Sequence, residues 1–272
     1  MTGDRERWAL VLGASSGMGE ATSLALARAG YNIAGVHLDF RAALAHVDEV
    51  RAGIAAAGRE ALFFNVNAAD DEKRADVLDA IAARFAESTA AGREPHLRVV
   101  VHSLAFGSLL PFLTDDPKTR ISRKQMDMTV DVMANSLVYW AQDLFVRGWL
   151  HETRIYGLTS EGSSRVIPSY GAVSAAKSAL ESHCRQLAME LARADTGCSV
   201  NAIRAGVTVT PALLRIPGSQ VIIDATMNRN PSGRMTTPRD VGAAIVRLSE
   251  DGLLWMTGNV ISVDGGEFVT GW

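Results

Sequence analysis

The chain alternates between short apolar segments and longer segments whose apolar residues recur with helical spacing. Most of the short segments lack the in-and-out alternation of a half-exposed strand, which is typical of strands covered on both faces. We therefore predict strands at 8–14, 32–38, 60–66, 97–103, 153–160, 198–204 and 259–265. The longer segments predict helices at 18–30, 41–58, 71–88, 125–149, 175–194 and 238–251.

The regular succession of strand and helix predicts the class of fold. Strand–helix–strand connections are right-handed and place consecutive strands parallel, with helices on the two faces of the sheet. We expect an α/β chain with one Rossmann-type, doubly wound parallel sheet of about seven strands and helices on both faces. Because no repeat, low-complexity tract or linker interrupts the pattern, we expect residues 1–272 to form a single domain.

Composition and charge limit the classes of partner. The chain has 272 residues, 47% of them hydrophobic, and a formal net charge of −3, which allows a large core and gives no strong field for nucleic acid or anionic lipid. No apolar run approaches the roughly 18 residues of a membrane span, and the charged N-terminus is unlike a signal peptide. The cysteines and histidines show no metal-ligand spacing. We predict a cytoplasmic protein with a small-molecule partner and without metal, nucleic acid or membrane.

A glycine-rich segment lies between the first predicted strand and the first predicted helix. Its glycines are spaced G-x-x-x-G-x-G. Glycine permits a tight turn and lets a pyrophosphate approach the helix N-terminus, where free N–H groups and the helix dipole favour an anion. Tight turns without a ligand use the same residues, but this position favours nucleotide binding. The candidate contacts are Gly13, Ser15, Ser16, Gly17, Met18 and Gly19.

The second and third predicted strands end at residues that would face an adenosine. Asp39 follows Gly19 by 20 residues, and a carboxylate there accepts hydrogen bonds from ribose hydroxyls and repels a 2′-phosphate, which favours NAD(H). Arg41 could instead pair with a 2′-phosphate, so NADP(H) stays open, and Asp39 could be a solvated turn residue. Asn65 and Val66 are placed to touch the adenine, one by a hydrogen bond and one by packing, although asparagine is also common in turns.

Ser160, Tyr170 and Lys177 form the candidate catalytic set. On a helix with about 100° and 1.5 Å per residue, positions 170 and 177 lie within roughly 20° on one face and about 10.5 Å apart. We therefore predict that Tyr170 lies at the very start of a helix and that Lys177 reaches back toward it. A nearby cation favours the phenolate and would strengthen Tyr170 as an acid. The alternative is a rim aromatic and an ordinary surface lysine.

With these motifs in place, the chain resembles a short-chain dehydrogenase/reductase over nearly its full length. The resemblance rests on Ser160, Tyr170 and Lys177 and on the segments 13–19, 65–66, 100–107, 201–210 and 263–266. Two departures resemble the enoyl-[acyl-carrier-protein] reductase branch. His102-Ser103-Leu104-Ala105 follows the fourth strand, and Val173 stands where common members have their tyrosine, so that Tyr170 precedes Lys177 by seven residues.

The resemblance implies hydride transfer from a nicotinamide cofactor to the C2=C3 double bond of an enoyl thioester in fatty acid synthesis, with acyl carrier protein as one candidate carrier. The alternative is a carbonyl reductase or alcohol dehydrogenase that acts on a 3-oxoacyl or other ketone substrate. A nucleotide sensor without turnover is disfavoured because the whole catalytic set is present. The resemblance also implies cofactor contacts from Ser103, Leu104, Gly206, Thr208 and Thr210, and substrate contacts from Ala105, Phe106, Leu213, Leu214 and Ile216.

Three further features follow from the resemblance. The segment at about 207–230, interrupted by Pro211, Pro217 and Gly218, would be a lid that closes on substrate, unless it is a small packed helix pair without ligand contact. The assembly would be a homotetramer built on the fourth and fifth crossover helices. Met133 occupies the position of the asparagine that relays protons in family members, and Asn135 is offset from it by two.

Overall fold

The computed structural model describes residues 5–216 and 218–270. Pro217, one of the predicted interruptions of the lid, lies outside the described residues, as do residues 1–4 of the charged N-terminus. The strands of the described chain are β1 (Arg5–Leu12), β2 (Asn32–His37), β3 (Ala61–Asn65), β4 (Glu94–His102), β5 (Arg154–Thr159), β6 (Ser199–Ala205) and β7 (Val260–Val263). They form one parallel sheet in the order β3-β2-β1-β4-β5-β6-β7.

Helices connect these strands. They are α1 (Gly17–Arg28), α2 (Leu44–Ala56), α3 (Asp71–Ala90), α4 (Arg123–Val130), α5 (Ser136–Val146), α6 (Gly171–Arg193), α7 (Pro211–Leu214), α8 (Ser219–Arg229) and α9 (Pro238–Leu248).

Both faces of the sheet are buried under helices. Along β1, Trp8, Leu10 and Leu12 face a core shared with α3, α5 and α6. Ala9 and Val11 face a second core shared with α1, α2 and α9. Residues on both sides of one strand are therefore apolar, which is why the strands show no alternation in sequence. The predicted doubly wound parallel sheet with helices on both faces is confirmed.

Local chemistry moves some element ends away from their predicted positions. β1 ends at Leu12 because Gly13 turns the chain with φ +90° and its N–H donates to the Val36 carbonyl. β4 begins three residues early, at Glu94, because it pairs with the first residues of β1. The predicted helix at 125–149 is divided into α4 and α5 by a π-helical turn over Asp131–Asn135.

The strand order places the candidate chemistry at one edge of the sheet. β1 and β4 are neighbours although α1, β2, α2, β3 and α3 lie between them in sequence. The order in which strands are added to the sheet therefore reverses between β1 and β4. In open α/β sheets, ligands bind outside the carboxyl ends of the strands at such a reversal. The glycine turn after β1 and the loops after β4 and β5 meet there.

Candidate active site

A cleft of about 510 Å³ lies at the carboxyl edge of the sheet. Its walls come from the glycine turn, the ends of β2, β4 and β5, the first half of α6, and the segment after β6. The predicted residues that line it are Gly13, Ser15, Ser16, Gly17, Met18, Asp39, Val66, Ser103, Leu104, Ala105, Phe106, Ser160, Tyr170, Lys177, Gly206, Thr208, Thr210, Leu213 and Ile216.

Three predicted site residues lie elsewhere. Gly19 packs into the turn itself, where a Cβ would come within 1.9 Å of the Gly13 carbonyl oxygen. Asn65 is engaged with the backbone of Asp39, and Leu214 is 60% exposed on α7. None of the three is among the residues that line the cleft.

The glycine turn is shaped by close backbone contacts. A Cβ on Gly13 would lie 2.5 Å from the Ser103 carbonyl oxygen, so the turn after β1 and the loop after β4 touch only because Gly13 has no side chain. The α1 N-terminus follows, and the side chain of its N-cap residue Ser16 makes no capping hydrogen bond. The first N–H groups of α1 are thus left for an anion. This cradle fits the pyrophosphate of a dinucleotide.

Asp39 stands at the other end of the cleft. Its Oδ2 lies 2.9 Å from His37 Nδ1. Its backbone N–H donates to Asn65 Oδ1 at 2.9 Å, and its carbonyl accepts from Asn65 Nδ2 at 2.9 Å. Asp39 thus engages both amide atoms of Asn65, and the hydrogen bond from Asn65 to adenine stays a prediction.

The catalytic candidates converge from β5 and α6. Ser160 directly follows β5, and its Oγ accepts from the Gly162 N–H at 3.0 Å. Tyr170 is the N-cap residue of α6, as its spacing from Lys177 predicts. The preceding residue, Ser169, has φ +60°, a backbone conformation that residues other than glycine rarely adopt. The Tyr170 ring packs against Gly162, where a Cβ would lie 2.6 Å from the ring.

Lys177 is buried at the bottom of the cleft. Its Nζ donates to the Leu158 carbonyl at 2.7 Å and lies 3.4 Å from the Leu104 carbonyl. Burial lowers the pKa of its ammonium to about 8. The surface-lysine alternative is therefore wrong, because this side chain is only 6% exposed.

The pKa of the Tyr170 phenol is higher than the sequence predicts. Desolvation of the ring raises the pKa of Tyr170 above its ordinary value, a hydrogen bond with Ser160 opposes the rise, and the charge of Glu161 adds to it. The prediction that a neighbouring cation favours the Tyr170 phenolate is not met, since Lys177 directs its ammonium to strand and loop carbonyls. The phenol of Tyr170 therefore keeps its proton over the ordinary pH range.

Val173 fills the position that a tyrosine holds in common family members. Its side chain is 4% exposed and packs beside the loop that follows β4. A Cβ on Gly107 in that loop would lie 2.7 Å from Thr129, 2.8 Å from Met133 and 3.0 Å from Val173. The loop therefore lies directly on Val173, which also lines the cleft.

Sequence reasoning missed part of the cleft. Glu161, which follows Ser160, is bound by Arg229 at 3.0 and 2.9 Å, and Arg229 also donates to the buried Glu267 at 2.6 Å. Its position next to Ser160 is the one signal for Glu161 in the sequence. Other lining residues that the sequence did not single out for the cleft include Leu38, Asn67, Gly107, Leu109, Met128, Thr159, Ile167, Val207 and Arg215.

The asparagine relay of the family has no counterpart in the expected place. Met133 lines the cleft, and Asn135 Oδ1 instead meets His183 Nε2 at 3.1 Å. His102 at the end of β4 is fully buried, its Nε2 lies 2.8 Å from Ser136 Oγ, and burial together with the charge of Lys177 lowers its pKa to about 3. His102 is therefore a neutral core side chain.

Two features are absent from the described residues. In residues 5–216 and 218–270, no group of three or more His, Cys, Asp or Glu side chains is arranged to hold a metal ion. Over the same part of the chain, every helix is too short or too polar to cross a membrane.

The chain has a parallel sheet in this order, a glycine turn after β1, and one cleft lined by Ser160, Tyr170 and Lys177. These features define an oxidoreductase of the short-chain dehydrogenase/reductase class. A family model described as Enoyl-(Acyl carrier protein) reductase matches residues 13–267. The chain belongs to this family.

Individual relatives agree with the family at modest identity. The chain is 33% identical over 175 residues to the enoyl-[acyl-carrier-protein] reductase [NADH] of Aquifex aeolicus, a match that covers 64% of this chain and 63%, less than two thirds, of that relative. It is 28% identical over 271 residues to the 1-cyclohexenylcarbonyl-CoA reductase of Streptomyces collinus, covering 97% of this chain and 88% of the relative. The crystal structure of the enoyl-[acyl-carrier-protein] reductase (NADH) from Aquifex aeolicus VF5 superposes with a TM-score of 0.82 at 25% identity, covering 98% of both chains.

Proposed function

We propose that the protein uses NADH to reduce the C2=C3 double bond of an enoyl thioester. The observation that carries the proposal is the position of Tyr170, which caps α6 while Val173 fills the site nearer to Lys177. In carbonyl reduction the proton donor must reach an oxygen on the carbon that receives hydride. In enoyl thioester reduction the oxygen that gains charge lies two bonds farther from that carbon, which suits a displaced donor.

The cofactor's binding residues are proposed from the cleft. The α1 N-terminus would hold the pyrophosphate, Asp39 the adenosine ribose, and Lys177 the ribose next to the nicotinamide. When bound, NADH supplies the hydride that C3 accepts. An ammonium has three donors, so Lys177 can bind ribose hydroxyls while it keeps its hydrogen bond to Leu158.

Tyr170 and Ser160 act on the substrate oxygen. Because the Tyr170 pKa is raised, the phenol stays protonated and donates to the thioester oxygen. Negative charge grows on this oxygen as C3 is reduced, and a donor already in place stabilises it without reorganisation. Ser160, hydrogen-bonded to Tyr170, can share that oxygen. The proton that completes the reaction reaches C2 from Tyr170 or from water.

The wall of the cleft supports an acyl substrate. Phe106, Leu213 and Ile216 face the cavity, and Ile222 of α8 joins them. The segment 207–230 includes α7 and α8 and contributes several of these residues, which supports its proposed role as a lid over the acyl chain. The same proposal includes an acyl carrier protein as the carrier, a cytoplasmic location, a single catalytic domain over 1–272 and a homotetramer.

Ketone reduction is the second candidate, and Ser160 favours it. A serine next to the catalytic tyrosine is the arrangement of the carbonyl reductases that the chain also resembles. The two functions separate when NADH oxidation is followed with crotonyl and acetoacetyl thioesters side by side. Turnover of the crotonyl thioester supports the proposal, and turnover of the acetoacetyl thioester alone would replace it with the second candidate.

A further inference from the structure

We infer that His37 and Asn65 are positioning residues that fix the Asp39 carboxylate for recognition of the cofactor's adenosine ribose, and that they thereby set the preference for NADH over NADPH. This inference rests on the proposed use of a nicotinamide cofactor. It assigns a role to two side chains that the reaction itself does not use.

The first contact holds the carboxylate. His37 Nδ1 lies 2.9 Å from Asp39 Oδ2, and because a carboxylate only accepts, Nδ1 carries the proton. The histidine is the last residue of β2, its side chain is 4% exposed, and its ring packs against Phe63 at 5.9 Å between centroids. A buried ring fixed in the sheet cannot follow the carboxylate, so Asp39 is held in one rotamer.

The second contact holds the backbone. Asn65 ends β3, directly opposite His37 in the register of the two strands. Its amide accepts from the Asp39 N–H and donates to the Asp39 carbonyl, both at 2.9 Å. Asp39 lies beyond the end of β2, where the ladder no longer fixes the backbone. Asn65 supplies the two hydrogen bonds that the ladder would otherwise make.

Together these contacts leave one carboxylate oxygen for a ligand. Oδ2 is occupied by His37, the side chain is 20% exposed, and Asp39 lines the cleft. A carboxylate fixed in this way accepts from a ribose hydroxyl without losing rotamer entropy on binding. It also cannot turn away from a 2′-phosphate, so the repulsion between the two anions is retained. Without the contacts from His37 and Asn65, the Asp39 side chain could rotate away from the cleft. Arg41, which is exposed and lies two residues later, could then pair with the phosphate.

The test is a direct binding titration of NADH and NADPH, followed by cofactor fluorescence. His37→Leu removes the donor and keeps the volume, and Asn65→Ala removes the backbone contacts at an exposed position. His37→Leu removes one hydrogen bond to a carboxylate, and Asn65→Ala removes two neutral hydrogen bonds to the backbone. Either loss predicts that the preference for NADH over NADPH falls by about tenfold. His37→Asn, which can place an amide N–H near the former Nδ1, should recover part of the preference.

His46→Leu is the matched control. His46 Nε2 also lies 2.9 Å from a carboxylate, that of Glu20, but the pair lies outside the cleft. This variant should keep the wild-type ratio of the two dissociation constants. Thermal unfolding of each variant identifies loss of fold, and Asn65→Ala keeps the test decisive if His37→Leu does not fold.

The titration needs no turnover, so its result is independent of the enoyl thioester assay. One outcome would overturn the positioning role of His37 and Asn65. In it, the ratio of the NADH and NADPH dissociation constants is unchanged in His37→Leu and in Asn65→Ala but changes in Asp39→Ala, which would leave Asp39 alone as the discriminating residue. An unchanged ratio in all three variants would overturn the role of Asp39 as well.

Discussion

The Nζ atom of Lys177 lies 2.7 Å from the carbonyl oxygen of Leu158, and this contact ties the first half of α6 to the end of β5. The side chain is 6% exposed, and burial lowers the pKa of its ammonium to about 8. Lys177 therefore changes its charge within the range of an ordinary assay. Tyr170 does not, because burial raises the pKa of its phenol.

We predict that kcat/KM falls as the pH rises through about 8. Below that pH Lys177 is an ammonium that can bind the ribose, and above it the amine has lost its charge and one donor. A pH–rate profile from about pH 6 to 10 measures this, with the fold checked at each pH by circular dichroism. A profile that stays flat to the alkaline end would contradict a cationic role for Lys177.

We predict that Tyr170→Phe lowers kcat by at least about a hundredfold, because one preorganised donor to the developing oxyanion is lost. NADH binding should stay close to wild type, since the hydroxyl is proposed to act on the substrate. Tyr139→Phe is the control, because the Tyr139 hydroxyl meets Asp131 at 3.2 Å outside the cleft. Equal kcat values for the two variants would remove Tyr170 from the mechanism.

The fold could be predicted from sequence because its signal is repeated along the chain. Most of the apolar runs are buried on both faces, as Trp8 and Ala9 show on opposite sides of β1. The position of Tyr170 at the start of α6 could also be predicted, because it depends on helix geometry between two residues of the same element.

Contacts between distant residues could not be predicted in the same way. Asn65 contacts the backbone of Asp39 across 26 positions of sequence, and the spacing of the two residues along the chain does not indicate this contact. The Tyr170 pKa depends on how much water the fold removes from the ring, which spacing does not encode. Composition alone did not predict the exposure of Leu214, an apolar residue in an apolar segment that is nevertheless 60% exposed.

We predict that Val173→Tyr destabilises the protein by about 1–3 kcal/mol, as overpacking of a filled core does. The added ring would meet the loop at Gly107, where an added Cβ would already lie 3.0 Å from Val173. Denaturant unfolding measures the loss, and Val166→Tyr, at a position that is 100% exposed, is the control. Equal stability of the two variants would show that the loop or the neighbouring cleft takes up the added ring, and would contradict the predicted overpacking.

We predict that Arg229→Met destabilises the protein by about 3 kcal/mol, because it leaves a buried carboxylate without its cation. That carboxylate is Glu267, whose side chain is 2% exposed and whose pKa is already raised by burial. The loss should shrink at acidic pH, where a protonated Glu267 needs no cation.

The double variant Arg229→Met with Glu267→Gln should recover much of the lost stability, since it removes the unpaired charge. Arg234→Met is the control, because Arg234 also pairs with a carboxylate, that of Asp240, but its side chain is 59% exposed. Its expected loss is small, because solvent screens an exposed ion pair. A loss in Arg229→Met no larger than in Arg234→Met would contradict the role assigned to the buried pair.

The most direct test of the central claim is a single-turnover reaction of NADH deuterated on the transferable C4 position, with a crotonyl thioester and with an acetoacetyl thioester in parallel. Enoyl reduction predicts a butyryl thioester with deuterium on C3, found by mass spectrometry and NMR, and slower or no reaction of the ketone. Formation of a deuterated 3-hydroxybutyryl thioester from the ketone, with the crotonyl thioester unchanged, would contradict the proposed function.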